Sequence, residues 1–361
     1  MQEVTANSGA KPEFLFTRPT AWLVLGSLTL LLVGIALASA MVGAAGIPLR
    51  RLVAAVVGSG ADSAELARDQ LVLWSIRLPR VVVAMGVGAL LALAGAIMQG
   101  MFRNPLADPS LVGVSSGAGL ASATTIVVGD RLLASISGHV PFEMLPVAAF
   151  FGALVATVAL HRIATYNGRT SIAIFLLGGL AIAALANAGI GLLVFVADDR
   201  QLRDITFWLL GSLAGATWPK AWALLPFVVA AILVIPRIAR GLDLLVLGEA
   251  EAFHAGIPVQ RLKIMAIVLV SAATGAAVAV AGVIGFVGIV VPHLLRLIIG
   301  PAHRILLPAS MLLGAALMLC ADTAARVLAA PAEVPIGIIT AVIGAPFFLA
   351  LLLRQRSVAT L

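Results

Sequence analysis

Stretches of about twenty apolar residues, separated by short polar segments, recur along almost the whole chain. Each is long enough to cross a bilayer as a helix. The pattern predicts ten spans, at residues 21–42, 81–101, 111–128, 144–161, 172–196, 218–235, 265–283, 284–299, 305–327 and 336–353. The eighth is short and is interrupted by Pro292. The polar stretches begin with residues 1–20, an N-terminal tail. A polar segment of about 35 residues holding Arg50, Arg51, Asp62, Glu65, Arg68 and Asp69 precedes the second span. A loop with Asp130, His139 and Glu143 precedes the fourth. Residues 198–215 carry Phe207 and Trp208, which suit an interfacial helix. A polar insert covers 237–263, and a tail begins at 356. The predicted fold class is therefore an all-α polytopic membrane protein, with one domain over 21–355.

Composition sharpens this reading. The chain has 361 residues, of which 61% are hydrophobic and 11% charged, and its mean hydropathy is +1.13. A soluble domain carries about 25% charge. The net charge of +7 does not point to nucleic acid, because no basic, aromatic-rich soluble module is present. With the N-terminus inside, thirteen Lys and Arg fall on the cytoplasmic side and ten outside. The outer loops are thus more basic than the positive-inside rule leads one to expect, which points either to a misplaced span or to an acidic partner on that face. The single cysteine, Cys320, excludes an intramolecular disulfide. The N-terminus lacks the pattern of a cleaved signal.

One stretch organises the rest. Arg77-Leu78-Pro79-Arg80 forms a charged collar ahead of an apolar run. That run breaks at Arg103-Asn104-Pro105-Leu106-Ala107-Asp108-Pro109, where two prolines cannot continue a helix. Irregular backbone at membrane depth must be buried in protein or line a wet cavity. The octapeptide from Gly88, GALLALAG, returns as GAAVAVAG from Gly275. At that offset Pro105 falls on Pro292 and Gly113 on Gly300. The first copy would run inward and the second outward, an inverted repeat that places a pathway at its broken helices. The breaks it points to are at Asn104-Pro105-Leu106 and Val291-Pro292-His293.

Other motifs narrow the chemistry. The chain has no G-x-x-x-x-G-K-[ST], and its lysines, Lys11, Lys220 and Lys263, do not follow glycine, so ATP would have to be used by another polypeptide. Gly113-Val114-Ser115-Ser116-Gly117 matches G-x-S-x-G but opens a membrane span, where serines pack helices rather than form a nucleophile elbow. No two histidines lie at ligand spacing on a helix, and no metal site is read. His293 is the one near the membrane interior. Asp322 is the main intramembrane acid, a count that favours an ATP-driven importer over the alternative class, an ion-coupled secondary transporter, without closing it. In the insert, Glu249 and Glu251 suit a helix start and Gly256 with Pro258 its end. That helix could lie on the bilayer or dock a cytoplasmic partner.

Together Arg77 to Arg80, the run from Gly95 to Pro109, Leu247-Gly248-Glu249-Ala250, the run from Gly285 to Arg296 and Glu333-Val334-Pro335-Ile336-Gly337 closely resemble the FecCD-like permease subunits of type II ABC importers. That family takes up ferric siderophores, haem and vitamin B12. The resemblance implies a homodimer of ten-helix subunits in a bacterial inner membrane, with the pathway on the two-fold axis. It implies two cytoplasmic ATPase subunits, which use the ATP, and one periplasmic binding protein. It assigns Arg77, Arg80 and Arg326 to docking of the binding protein. It assigns Asn104, Pro105, Leu106, Pro292 and His293 to the pathway, together with the loop residues Thr170, Ser171, Ile172 and Ala173. It assigns Leu247, Gly248, Glu249, Ala252 and Gly256 to ATPase coupling. The segments from Met98 and from Gly113 look most like haem permeases, implying haem as substrate, with siderophores and corrinoids as alternatives. The resemblance implies no cofactor held by this chain.

Overall fold

The computed structural model describes residues 21–42, 51, 64–109, 113–129, 144–167, 169–330 and 332–359. The expected N-terminal tail and Arg50, Asp62, Asp130, His139 and Glu143 lie outside the described residues. Helix α1 (Ala21–Met41) is followed by α2 (Ala64–Val72), a π-turn (Leu73–Arg77) and α3 (Leu78–Phe102). Next come α4 (Val114–Thr124), continued in π geometry over Thr125–Gly129, and α5 (Leu145–Ala164). A small hairpin, β1 (Thr165–Tyr166) and β2 (Arg169–Thr170), leads into α6 (Ile172–Val196). Then follow α7 (Asp199–Leu210), α8 (Trp218–Leu245), α9 (Glu249–His254), α10 (Val259–Ala281), α11 (Val287–Ile299), α12 (His303–Leu328) and α13 (Ile336–Ala359). Among the described residues, seven helices are long and apolar enough to cross a membrane, and three shorter apolar helices, Val114–Gly129, Val287–Ile299 and Ile336–Ala350, bring the number to the expected ten.

Several boundaries differ from the sequence reading, each for a local reason. The polar stretch before the second span is helical from Ala64, and with α3 it forms one apolar-ended rod, Glu65–Phe102. Pro79 has no N–H to donate to the turn before it, and the chain widens to π geometry just ahead of that proline. The insert expected at 237–263 shrinks, because α8 continues through Pro226 and Pro236 to Leu245 and α10 begins at Val259. The tail expected from 356 is helical as far as Ala359. The helix expected within 198–215 is present as α7, closed by a capping box in which Asp198 and Gln201 each take the other's backbone N–H.

Helix α3 is the axle of the bundle. It is buried on almost every side and packs against α1, α8, α10, α11 and α12. Glycine makes two of these contacts possible. A Cβ on Gly88 would lie 2.3 Å from the carbonyl oxygen of Gly314 on α12, and one on Gly95 would lie 1.9 Å from that of Gly288 on α11. Backbone thus meets backbone, the close approach that small residues allow between membrane helices.

The repeat has a structural counterpart. Helices α3–α6 and α10–α13 each run long, short, long, long. Gly88 abuts α12, the third helix of the second copy, and Gly275 faces Ala153 of α5, the third helix of the first. The second break, however, is not at Val291-Pro292-His293. Pro292 lies inside α11, and the irregular backbone is at 282–286, where Gly282 and Phe286 have φ of 72° and 69°.

Candidate functional site

The collar closes one end of α3. Arg80 donates from Nε to Asp322 Oδ1 at 2.9 Å, and its two Nη groups donate to Glu333 Oε1 and Oε2 at 2.8 and 2.9 Å. Arg326 donates from Nε to the other oxygen of Asp322 at 3.1 Å and from Nη1 to the carbonyl of Val42 at 2.7 Å. Arg77 donates to the carbonyls of Ala40 and Met41 at the end of α1. Asp322, 1% exposed, is therefore held between two guanidiniums and is not a free intramembrane acid. The three arginines expected on a docking face are engaged within the chain: Arg77 and Arg80 are buried and Arg326 half-buried. Glu333 is the accessible member, its side chain 37% exposed. The hydrogen bonds from Arg80 hold its carboxyl below the usual carboxylate range.

The broken segment lies at the opposite end of α3. Arg103 adopts φ 51° and stops the helix. The Asn104 side chain accepts the N–H of Leu106 at 2.9 Å, an Asx turn that sets the bend at Pro105. Asn104 is exposed, Pro105 and Leu106 are half-buried, and Ala107 to Pro109 plunge into the protein, where Pro109 meets Gly288. Phe102 stacks near Phe175 of α6, with ring centroids 6.2 Å apart. This brings the second expected gate segment to the same end. Thr170 closes β2, Ser171 caps α6 by accepting the N–H of Ile174, and Ile172 and Ala173 form its first turn.

Pro292 and His293 face inward on α11. Pro292 cannot donate to the carbonyl of Gly288 one turn back, and Gln99 of α3 supplies the missing donor, Nε2 to O at 3.1 Å. Arg296 in turn donates to Gln99 Oε1. The ring of His293 packs edge-on against Phe347 of α13, and neither ring nitrogen has a hydrogen-bond partner among the described residues. Ser115 and Ser116 sit in the first turn of α4, not on a strand-to-helix turn, so G-x-S-x-G here is helix packing.

The insert helix α9 is a knob on the same end as the broken segment. Gly248, at φ 137°, precedes it and Gly256, at φ 83°, follows. Leu247 and Phe253 are each 68% exposed, whereas Ala252 is buried and anchors the knob to the chain. Glu249 reaches back to Lys263 of α10 at 2.8 Å. Lys263 also donates to the carbonyl of Thr170 at 3.2 Å, and Gln260 of α10 accepts the Thr170 N–H at 3.0 Å. Sequence reading assigned no role to Lys263, Gln260 or Gln99. The one available signal was a lone lysine opening an apolar helix.

A model of the FecCD transport family matches residues 28–354. This chain belongs to the FecCD transport family. It is 44% identical over 342 residues to the hemin transport system permease protein HmuU of Yersinia pestis, covering 92% of this chain and 96% of that one. It is 46% identical over 292 residues to the cobalamin import system permease protein BtuC of Halobacterium salinarum, covering 81% and 76%. Among solved structures, an inward-facing metal-chelate type ABC transporter aligns with a TM-score of 0.79 at 33% identity, over 92% of this chain and 99% of that one. The fold is thus that of a type II ABC importer permease. This FecCD chain is a multi-pass membrane permease whose family works with a separate ATPase.

Proposed function

We propose that this permease moves haem from periplasm to cytoplasm across a bacterial inner membrane, as a homodimer with two ATPase subunits and a periplasmic binding protein. The observation that carries haem is the near end-to-end match to a hemin permease. The cobalamin permease is as similar over a shorter stretch and gives the second reading, a corrinoid carried by the same architecture. The N-terminus lies in the cytoplasm, which puts the collar on the periplasmic side and α9 on the cytoplasmic side.

At the collar, a carboxylate of the binding protein competes with Glu333 for the fork of Arg80, because Glu333 is the one exposed member of that network. At α9, the exposed Leu247 and Phe253 enter an apolar cleft of the ATPase. Asn104 to Leu106 and Thr170 to Ala173 gate the cytoplasmic end. Helix α6 leaves Leu177, Leu180, Leu185, Leu192 and Phe195 exposed, a face shared between lipid and the second subunit. No cofactor resides in the permease; haem is cargo.

The test is affinity purification of the chain from native membranes in mild detergent, with identification of the co-purifying chains and an absorbance spectrum of the recovered binding protein after haem is added. An ATPase together with a binding protein showing a haem Soret band supports the reading. The same partners without that band, but with corrinoid binding, move the substrate to the second reading. Reproducible recovery of the chain alone removes the assembly.

A further inference from the structure

The α9 knob and the α5–α6 hairpin are not neighbours in sequence, yet one side chain holds both. Lys263 is 2% exposed. Its ammonium has three donors. It meets the carboxylate of Glu249, the first residue of α9, at 2.8 Å, and the main-chain carbonyl of Thr170 at 3.2 Å. Gln260, one turn earlier on the same face of α10, accepts the Thr170 N–H at 3.0 Å. Both polar groups of the Thr170 peptide position are thereby taken by α10. The hairpin itself is stiff: Thr165 pairs with Thr170, their hydroxyls are 3.0 Å apart, and the Ser171 N–H donates to Ala164 O at 2.9 Å. Ser171 is the N-cap of α6, so a displacement of Thr170 is a displacement of the start of α6.

A buried ammonium cannot be left without its counter-ion. When Glu249 moves with α9, Lys263 must follow it or lose its only carboxylate contact among those the described residues supply. Following it draws on the Thr170 carbonyl at the other side of the same ammonium. The side chain is a flexible four-carbon stem with a compact charge, able to swing without breaking α10.

We propose that Lys263 is a positioning residue that carries movement of α9 to the α5–α6 hairpin, and so ties the ATPase surface to the start of α6. This rests on the reading of α9 as the ATPase contact. The ion pair and the Thr170 bond act in series: losing either uncouples the two ends without removing either end.

The test uses the assembled permease–ATPase complex in liposomes. Cys320 is first replaced by Ala and Ser171 by Cys, and the rate of maleimide labelling at position 171 is measured with and without ATP plus vanadate. Labelling is expected to change by about fivefold or more with nucleotide, a coupling of ordinary allosteric size. Adding Lys263→Met should abolish that change while ATP hydrolysis stays within about twofold, since the nucleotide site is on another chain. Glu249→Gln, at a half-exposed position, should also abolish the nucleotide response at position 171 and guards against a folding defect of the buried variant. Lys263→Arg should restore the nucleotide response, having donors for both partners. The charge swap Lys263→Glu with Glu249→Lys should not, because it rebuilds the ion pair but offers the Thr170 carbonyl no donor. A nucleotide response that survives Lys263→Met, or returns in the charge swap, overturns the proposal. A Cys320→Ala, Ser171→Cys complex with Lys263 intact that hydrolyses ATP with no change in labelling at position 171 also overturns it and leaves the importer reading standing. Failure of any ATPase to assemble on the chain overturns the parent reading, and the proposal with it.

Discussion

Arg80 and Asp322 are 242 positions apart in the chain and meet at 2.9 Å. Neither charge has much water: the Asp322 side chain is 2% exposed and that of Arg80 10%. A buried pair of this kind contributes little relative to an apolar filling, but removing one member strands the other. Here the loss is partial: Asp322→Ala is expected to cost roughly 1–3 kcal/mol, since both guanidiniums lose a charged acceptor but Arg80 keeps Glu333 and Arg326 keeps the Val42 carbonyl. Thermal unfolding of the detergent-purified chain measures it, and a loss below about 1 kcal/mol would show that the network is relayed through water.

Glu333 provides the pH dependence. Its carboxyl is held below the usual range by Arg80, so the folded state binds its proton more weakly than the unfolded state does. The stabilisation is fully present above the unfolded value of about 4.3. It fades as the pH falls through the depressed folded value. Glu333→Gln should lower Tm at pH 7 and approach wild type below about pH 4. Because the residue is more than a third exposed, the effect at pH 7 should be only about 0.5–1 kcal/mol. Tm profiles of the two proteins that stay parallel through the acid range would contradict the assignment.

Gln99 is the donor that lets α11 pass through Pro292. Gln99→Leu leaves the Gly288 carbonyl and the Arg296 guanidinium without that partner. The expected cost is about 1–3 kcal/mol. Gln99→Glu should be milder, because it keeps an acceptor for Arg296, though it loses the donor to Gly288. Equilibrium unfolding in a mixed denaturant–detergent series ranks the two, and equal costs would show that the Arg296 contact contributes nothing.

Gly88 tests the axle. Its Cβ would fall 2.3 Å from Gly314 O and 2.6 Å from Met318 Cβ. Gly88→Ala should force α3 and α12 apart and cost at least about 1–3 kcal/mol. Gly26, with open space around it, is the control, and Gly26→Ala should be neutral or slightly stabilising. Similar Tm changes in the two variants would deny the close contact.

The spans were legible because each is a run of hydrophobicity bounded by charge, and bilayer thickness fixes the run length. The bend at Asn104-Pro105 was legible for the same reason that it forms: proline cannot donate and Asn104 supplies a local acceptor. The break expected at Pro292 failed on that same rule. The missing donor arrives from Gln99, 193 positions earlier, and no local window contains it. The collar arginines were visible as charges, but their partners Asp322 and Glu333 become neighbours only when α12 is laid against α3. The same holds for Lys263, whose two contacts come from elements 14 and 93 positions away.

The passage from α2 through the π-turn into α3 has a geometric consequence. The 38 residues of Glu65–Phe102 make a rod of about 57 Å at 1.5 Å per residue, against a hydrocarbon thickness of about 30 Å. At about twice that thickness it must tilt or reach past the hydrocarbon, and its foot reaches the bend at Asn104. Its joint is the π-turn at Leu73–Arg77, which carries the first arginine of the collar.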